Sequence, residues 1–322
     1  MSFNAMMLTF MVSTIYWFSS WLAMELVGFV FMIILSVSVS NSSFKKVSNW
    51  KYFMYQCVGS ILFLVCMFLK VNQIIDINSY TMHIIMMAGL MMKLGLPPFH
   101  KWAFEVSENL MWYKFILVNS MQKIPSLILV WNLMEMDWPM ILLSSFGMIY
   151  SLAGLFDWSL RRFLVFSSIL NYSWIILCST VDSLAMGMYL CIYLWTFVAA
   201  SLMISKYSFS SFSFLFNNNS LLSMGPLLNA FMAVNIMSLA SLPPLAGFIA
   251  KYEVIMTLIW NGMIILSVMY MLISMTLLVM YITMLVSTMV SNKLLNEVFT
   301  RKDLYTIVFS LLNLVIPLLY FL

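Results

Sequence analysis

Long apolar stretches, separated by short runs of charged, glycine, proline or asparagine residues, cover almost the whole chain. About 20 apolar residues are enough for a helix to cross the hydrocarbon core of a bilayer. The pattern therefore predicts an all-α, polytopic membrane protein with about eleven spanning helices. Their predicted bounds are about 3–18, 22–40, 52–70, 80–99, 113–133, 139–156, 162–180, 183–205, 223–249, 262–290 and 304–321.

The composition supports a membrane protein without a separate soluble domain. Hydrophobic residues make up 64% of the 322 residues and charged residues 8%, whereas soluble domains are roughly half apolar and a quarter charged. No basic run is interleaved with aromatic residues, so nucleic-acid binding is not expected. We predict one membrane domain over 1–322, with a first half at about 1–207, a second half at about 221–322, and the Asn/Ser/Phe-rich loop 208–220 between them.

The charges in the predicted loops indicate an orientation. If the helices alternate in direction, most basic loop residues fall on one side of the membrane and most acidic ones on the other, with Lys70 as the main exception. The positive-inside rule then places the N-terminus and the basic loops in the cytoplasm or the mitochondrial matrix. The basic residues are Lys45, Lys46, Lys51, Lys101, Lys114, Arg161, Arg162, Lys206, Lys293, Arg301 and Lys302, and the acidic ones are Asp76, Glu135, Asp137 and Asp182.

The tripeptide Leu-Pro-Pro occurs twice, at 96–98 and 242–244, each time within an apolar stretch. Because proline has no N–H for the carbonyl four residues earlier, Pro97 and Pro98 release the carbonyls of Lys93 and Leu94, while Pro243 and Pro244 release those of Leu239 and Ala240. Hydrocarbon cannot satisfy these carbonyls, so they need protein, water or an ion. Two interrupted helices in corresponding parts of a chain indicate a transport site near the bilayer midplane.

The main ionisable residues in the predicted apolar segments are Glu25, Lys93, Lys123 and Lys251, the last of these in a second half-helix that continues the ninth span past Pro244 to Trp260. Each charge at a helix centre costs about 2.5 to 3.5 kcal/mol on insertion scales, so such residues are functional candidates. The pKa of lysine responds strongly to burial, whereas arginine stays protonated. The arginines of this chain are predicted to lie in loops. An interior with lysine and glutamate but no arginine is typical of a proton path.

Structural explanations remain open for each of these residues. Glu25 either reaches the acidic side or pairs with a lysine of another helix, and Lys93 forms either a structural ion pair or a proton-transfer group. Pro125 releases the carbonyl of Met121 beside Lys123, which lies too deep to reach the membrane surface easily. Lys251 lies closer to the end of its segment and is able to extend its amine to the interface. His100 either extends the path to the basic side or is simply interfacial.

The cysteines and histidines do not form a metal-binding pattern. Cys57, Cys66, Cys178 and Cys191 are isolated in apolar segments without Cys-x-x-Cys spacing, and both histidines are distant from them in sequence. We therefore expect neither a metal nor a cofactor site in this chain.

The residues around the two breaks closely resemble those of the chain 2 family of mitochondrial NADH:ubiquinone oxidoreductase, respiratory complex I. The resemblance includes 92–106, Gln122-Lys123-Ile124-Pro125 and 242–248 leading to Lys251, and it extends over nearly the whole chain. The order Glu, Lys, Lys, Lys along successive helices and the 33 methionines agree with it. Lys101 and the second proline of the first break depart from the family pattern.

This resemblance implies an antiporter-like fold, in which inverted repeats each contain a broken helix. It also implies a core, proton-translocating subunit of a respiratory-chain enzyme, the proton-pumping NADH:ubiquinone reductase of the mitochondrial inner membrane, with basic loops in the matrix. Glu25, Lys93, Lys123 and Lys251 would form the proton relay, supported by Pro97, Pro98, His100, Pro125, Pro243 and Pro244. NADH, FMN, iron–sulfur clusters and ubiquinone would be bound elsewhere in the complex, and the partners would be other membrane-arm subunits and lipids.

Two alternatives remain compatible with the sequence. The first is a free-standing cation/proton antiporter of the related family, which would exchange ions without NADH. The second is a non-pumping scaffold subunit, whose buried charges are structural ion pairs needed for assembly.

Overall fold

The structure, a computed structural model, describes residue 9 and residues 16–37, 43–72, 79–133, 137–157, 159–206, 226–290 and 310–317. These ranges form helices joined by short turns, which confirms the predicted all-α fold class. In chain order the helices are α1 (Trp17–Val37), α2 (Ser43–Asn72), α3 (Ser79–Leu94), α4 (Lys101–Asn109), α5 (Trp112–Asn119), α6 (Ile124–Asn132), α7 (Asp137–Ser151), α8 (Leu160–Ser179), α9 (Ser183–Lys206), α10 (Pro226–Leu239), α11 (Ala246–Trp260) and α12 (Ile264–Val290). Residues 310–317 are also helical.

Within the described ranges, six helices are long and apolar enough to cross a membrane: α1, α2, α7 with the 3₁₀ turn Leu152–Phe156 that follows it, α8, α9 and α12. The remaining helices form three successive pairs, α3 with α4, α5 with α6, and α10 with α11. The predicted spans at 3–18 and 304–321 lie largely outside the described residues, so the count of eleven stays a prediction.

Several lysines predicted to lie in loops are instead part of helices. α2 has 30 residues, a length of about 45 Å at 1.5 Å per residue, which exceeds a hydrocarbon core of about 30 Å. Its first turns therefore carry Lys45, Lys46 and Lys51, while Lys101 and Lys114 lie in α4 and α5. The hydropathy pattern located only the apolar part of these helices, because helical hydrogen bonding continues past the last apolar residue.

Both predicted breaks are present, and they share one hydrogen-bond pattern. α3 ends with Leu96 N–H donating to Met91 O at 3.1 Å and Gly95 N–H to Met92 O at 3.3 Å. α10 ends in the same way, with Leu242 N–H donating to Met237 O at 3.2 Å and Ser241 N–H to Ser238 O at 3.1 Å. This is a Schellman cap, whose closing residue has a left-handed backbone: φ is +66° at Gly95 and +58° at Ser241.

A third interruption separates α5 from α6 inside the predicted span 113–133. Gln122 N–H donates to Leu117 O and Lys123 N–H to Ser120 O, both at 3.2 Å. Pro125 lies in the first turn of α6, where its missing N–H costs no helical hydrogen bond. Pro125 therefore starts a new helix instead of kinking a continuous one.

The chain folds as two compact units, Met1–Gly147 and Met148–Leu322. Each unit contains one Leu-Pro-Pro break, at 96–98 in the first and 242–244 in the second. The predicted loop 208–220 lies outside the described residues, and the division into halves at that loop stays a prediction.

In the first unit, two glycines allow α2 and α3 to pack backbone to backbone. A Cβ atom added to Gly89 would lie 2.8 Å from the carbonyl oxygen of Gly59, and one added to Gly59 would lie 2.7 Å from that of Gly89 and 3.0 Å from Cγ of Lys93. Small residues permit such close approach between membrane helices. The glycine pair therefore determines how closely α2 packs against the turn of α3 that carries Lys93.

We expect Gly89→Ala to destabilise the first unit by about 1–3 kcal/mol, the usual cost of overpacking. The added methyl group would contact a backbone carbonyl, which cannot rotate away as a flexible side chain can. The measurement is the midpoint of thermal unfolding of the protein in detergent. Gly187→Ala is the matched control, because a Cβ atom there meets no heavy atom within 4 Å, and equal midpoints for the two variants would contradict the expectation.

Candidate functional site

The structure brings together two of the four predicted relay residues as an ion pair. Lys93 Nζ donates to Glu25 Oε1, joining α3 to α1. The Lys93 side chain is 6% exposed and that of Glu25 21%, so the pair is largely removed from solvent. Lys93 is also in the last turn of α3, where the negative end of the helix dipole favours a positive charge. Two separate features thus stabilise the ammonium form of Lys93.

The carbonyl of Lys93, which Pro97 releases, has a side-chain partner within the protein, and the neighbouring carbonyl of Met92 accepts a side-chain donor in addition to Gly95 N–H. Gln56 Nε2 of α2 donates to Lys93 O at 3.3 Å, and Trp102 Nε1 of α4 donates to Met92 O at 3.0 Å. The Trp102 ring is buried and contacts Tyr52 edge to face, with centroids 5.7 Å apart. The end of α3 is therefore held from both sides, which fixes the position of Lys93.

A cavity of about 30 Å³ adjoins the Glu25–Lys93 pair. A volume of this size admits about one water molecule. Its polar lining comes from Glu25, Lys93, Tyr52, Gln56, Cys57, Gln122 and Ser126. The cavity thus offers a buried place where a proton donor, a proton acceptor and water can meet.

Gln122 connects the third interruption to this cavity. Its Nε2 donates to Val27 O of α1 at 3.3 Å, and its Oε1 accepts from the Tyr52 hydroxyl of α2 at 3.4 Å. Ser126, which also lines the cavity, donates through Oγ to Lys123 O at 2.9 Å. In the sequence, Lys123 therefore lies between Gln122 and Ser126, which both line the cavity.

Lys123 itself is buried, with 2% exposure. It is the residue immediately before α6, so it lies at the positive end of that helix's dipole. This end of a helix opposes a positive charge. Lys93 and Lys123 belong to the same unit. Lys93 lies at the C-terminal end of α3, where the helix dipole favours a positive charge, and Lys123 lies at the N-terminal end of α6, where the dipole opposes one.

Lys251 lies in the second unit, in the second turn of α11, and is buried there. Like Lys123, it is nearer the N-terminal than the C-terminal end of its helix. The break before it is tight: a Cβ atom added to Gly247 would lie 2.0 Å from Ser238 O. Pro243 and Pro244 are exposed and lie at the turn between α10 and α11.

The remaining predicted supporting residues lie at the first break. His100 precedes α4 and contacts Phe104 edge to face, with centroids 5.9 Å apart, and it is not among the residues that line the cavity. Pro97 is buried and Pro98 exposed. His100 is thus positioned as a partly buried residue of the break, separate from the Glu25–Lys93 pair.

Sequence reasoning did not assign a role to Gln56, Tyr52 or Ser126, although all three line the cavity. A glutamine in the middle of an apolar span was the available signal for Gln56. Lys114 was placed in a loop, but it is buried and donates to Leu35 O at 3.2 Å near the end of α1. A lysine there satisfies a terminal helix carbonyl, which makes Lys114 a structural residue.

Among the described residues, no group of three or more histidine, cysteine, aspartate or glutamate side chains is arranged to hold a metal ion. The described site combines a carboxylate and an amine, which can bind and release protons, with amide and hydroxyl groups that can form hydrogen bonds around a small polar cavity.

The chain is similar to a known family of membrane proteins. Residues 15–277 match the family described as NADH:quinone oxidoreductase/Mrp antiporter, TM. NADH-ubiquinone oxidoreductase chain 2 of Anopheles gambiae is 30% identical over 246 residues, which cover 75% of this chain and 71% of that protein.

Two solved structures share the fold. A chain of respiratory complex I from Thermus thermophilus with bound aureothin superimposes with a TM-score of 0.82 at 20% identity, covering 99% of this chain and 77% of that one. A chain of the Mrp complex from Dietzia sp. DQ12-45-1b gives a TM-score of 0.69 at 16% identity, covering 84% and 55%. The chain therefore belongs to the NADH:quinone oxidoreductase/Mrp antiporter family of membrane proteins, within which it is a relative of NADH-ubiquinone oxidoreductase chain 2.

Proposed function

We propose that this chain is the antiporter-like membrane subunit of a proton-translocating NADH:ubiquinone oxidoreductase in the mitochondrial inner membrane. The observation that carries the proposal is the buried Glu25–Lys93 ion pair beside an interrupted helix and a polar cavity. NADH, FMN, iron–sulfur clusters and ubiquinone are bound by other subunits of the complex, and this chain moves protons only. Its partners are the other membrane-arm subunits and lipids, and its N-terminus and basic loops face the matrix.

The proposed chemistry depends on the two states of the pair. When Glu25 and Lys93 are in contact and both ionised, they neutralise each other and little net charge remains in the cavity. When a conformational change separates them, each charge becomes unfavourable in its apolar surroundings, and a proton is gained by the carboxylate or lost by the amine. The altered charge then changes the free energy of a protonated Lys123, which is flanked by cavity-lining residues of the same unit. Lys251 is the corresponding proton-holding group of the second unit.

The main alternative is a free-standing cation/proton antiporter, which the family match and the fold of the Mrp complex chain keep open. A native gel of mildly solubilised membranes, stained for NADH oxidation, separates the two functions. We expect mass spectrometry to find this chain only in a large NADH-oxidising band. Recovery of the chain alone, without NADH oxidation and with sodium- or potassium-dependent proton exchange, would instead establish the antiporter.

We expect Lys123→Met to leave assembly largely intact and to lower coupled NADH:quinone turnover to roughly a tenth, equivalent to about 1.4 kcal/mol on the barrier. Methionine fills a similar volume and adapts to irregular spaces, so the variant removes the proton-binding amine with little change in packing. Turnover and proton uptake are measured in sealed membrane vesicles. Lys101→Met, at an exposed lysine, is the control, and wild-type turnover with full pumping in Lys123→Met would exclude Lys123 from the relay.

The Glu25–Lys93 pair distinguishes a relay from a scaffold. Glu25→Gln alone leaves Lys93 without its carboxylate, and orphaning a buried charge costs about 3–5 kcal/mol, so we expect less assembled complex. Adding Lys93→Met removes the orphaned charge and should restore the amount of complex seen on the native gel.

In the assembled double variant we expect proton pumping to stay low, because neither group can then exchange a proton. Full pumping by the double variant would show that the pair is structural and would support the scaffold alternative.

A further inference from the structure

Five tyrosines are buried in the described part of the second unit: Tyr270 of α12 packs against Trp174, and the other four lie on three helices. These four are Tyr172 of α8, Tyr189 and Tyr193 of α9, and Tyr281 of α12, and none is more than 4% exposed. We refer to these four residues as the tyrosine cluster. None of them was selected from the sequence, because tyrosine is common in apolar segments and carries no charge at neutral pH.

Contacts among these side chains connect the three helices. The Tyr189 hydroxyl donates to Asn171 Oδ1 of α8 at 2.9 Å, and the rings of Tyr172 and Tyr193 meet edge to face with centroids 5.4 Å apart. The Tyr281 ring meets Phe163 of α8 edge to face with centroids 5.0 Å apart, which joins α12 to α8. The cluster therefore gathers several polar groups in one buried region of the unit.

The hydrogen-bonding capacity of this region exceeds what the described protein atoms satisfy. The Tyr193 ring contacts Tyr172, yet its hydroxyl makes no hydrogen bond of normal geometry to a described residue. At another point of α8, beside Tyr270 of α12, the buried indole N–H of Trp174 also makes no hydrogen bond of normal geometry to a described residue. Buried donors of this kind are normally satisfied by ordered water, so the region is expected to hold water.

The helix that carries Lys251 packs against all three helices of the cluster, because α11 contacts α8, α9 and α12. Among the described residues of the second unit, Lys251 is also the one charged side chain that is buried. A proton that reaches or leaves Lys251 through this part of the unit must therefore pass through uncharged groups.

We propose that the tyrosine cluster, together with ordered water, is an uncharged proton route that serves Lys251. A tyrosine hydroxyl both donates and accepts hydrogen bonds, so it can accept one proton as it releases another. Each transfer breaks one O–H bond and forms one, leaves the hydroxyl unchanged, and requires neither oxidant nor reductant. The inference rests on the proposed function, since it assigns further groups to the same proton translocation.

The test uses Tyr189→Phe and Tyr193→Phe in the complete respiratory complex. Each variant removes one hydroxyl and keeps the aromatic ring that packs in the core. We expect assembly on the native gel to be retained, coupled turnover to fall about tenfold, and the ratio of turnover in H₂O to that in D₂O to rise because proton transfer becomes limiting. Tyr252→Phe is the matched control, since this tyrosine is next to Lys251 in the chain but is 36% exposed.

A parallel Lys251→Met variant separates this inference from the proposed function. If Lys251→Met lowers pumping while both tyrosine variants keep wild-type turnover and isotope ratio, the tyrosine route is wrong and the role of Lys251 stands. If Lys251→Met pumps normally, the role of Lys251 in the proposed function fails. Loss of assembly in both tyrosine variants would make the cluster structural and would also overturn the route.

Discussion

The first unit depends on satisfying the backbone carbonyls that an interrupted helix leaves open in apolar surroundings. An unpaired buried carbonyl costs several kcal/mol in hydrocarbon, so the end of α3 is stable only where other helices supply donors. Gln56 and Trp102 supply them from α2 and α4, and the Gly59–Gly89 approach brings α2 close enough for Gln56 to reach. The position of Lys93 follows from these constraints, because Lys93 is the next-to-last residue of the helix they hold.

The lysines of this protein are placed in two different electrostatic settings. Lys93 has a carboxylate partner and lies at the negative end of a helix dipole, which favours its charged form. Lys123 lies immediately before α6, at the positive end of that helix's dipole, which opposes its charged form, whereas Lys251 lies in the second turn of α11. The broken helices create this difference between Lys93 and Lys123 by generating extra helix ends inside the protein.

The two units combine similar breaks with different interiors. In the first unit, charged and amide groups surround a small polar cavity. In the second, the buried polar groups around Lys251's helix are mainly tyrosine hydroxyls, asparagine and serine. The free-energy cost of burying a neutral polar group in an apolar interior is lower than that of burying a charge. The second unit, with one buried charge among its described residues, can therefore still contain many buried polar groups.

The apolar pattern by itself determined the membrane fold class, and the two Leu-Pro-Pro positions indicated where helices break. The lysine positions indicated candidate site residues, because burying charge or unpaired carbonyls in lipid is costly wherever they occur. The family match at residues 15–277 confirmed the resemblance drawn from these motifs. Helix ends were less predictable: α2 begins at Ser43, since a helix extends past its apolar residues into water. The break before Lys123 needed the structure, because Pro125 is equally compatible with a kink or a helix start. Only the tertiary structure showed that Glu25 pairs with Lys93 and that Gln56, Tyr52 and Ser126 line the adjoining cavity. It also showed the tyrosine cluster. All these contacts join residues that are distant in the chain, so they depend on helix packing, which no local sequence pattern encodes.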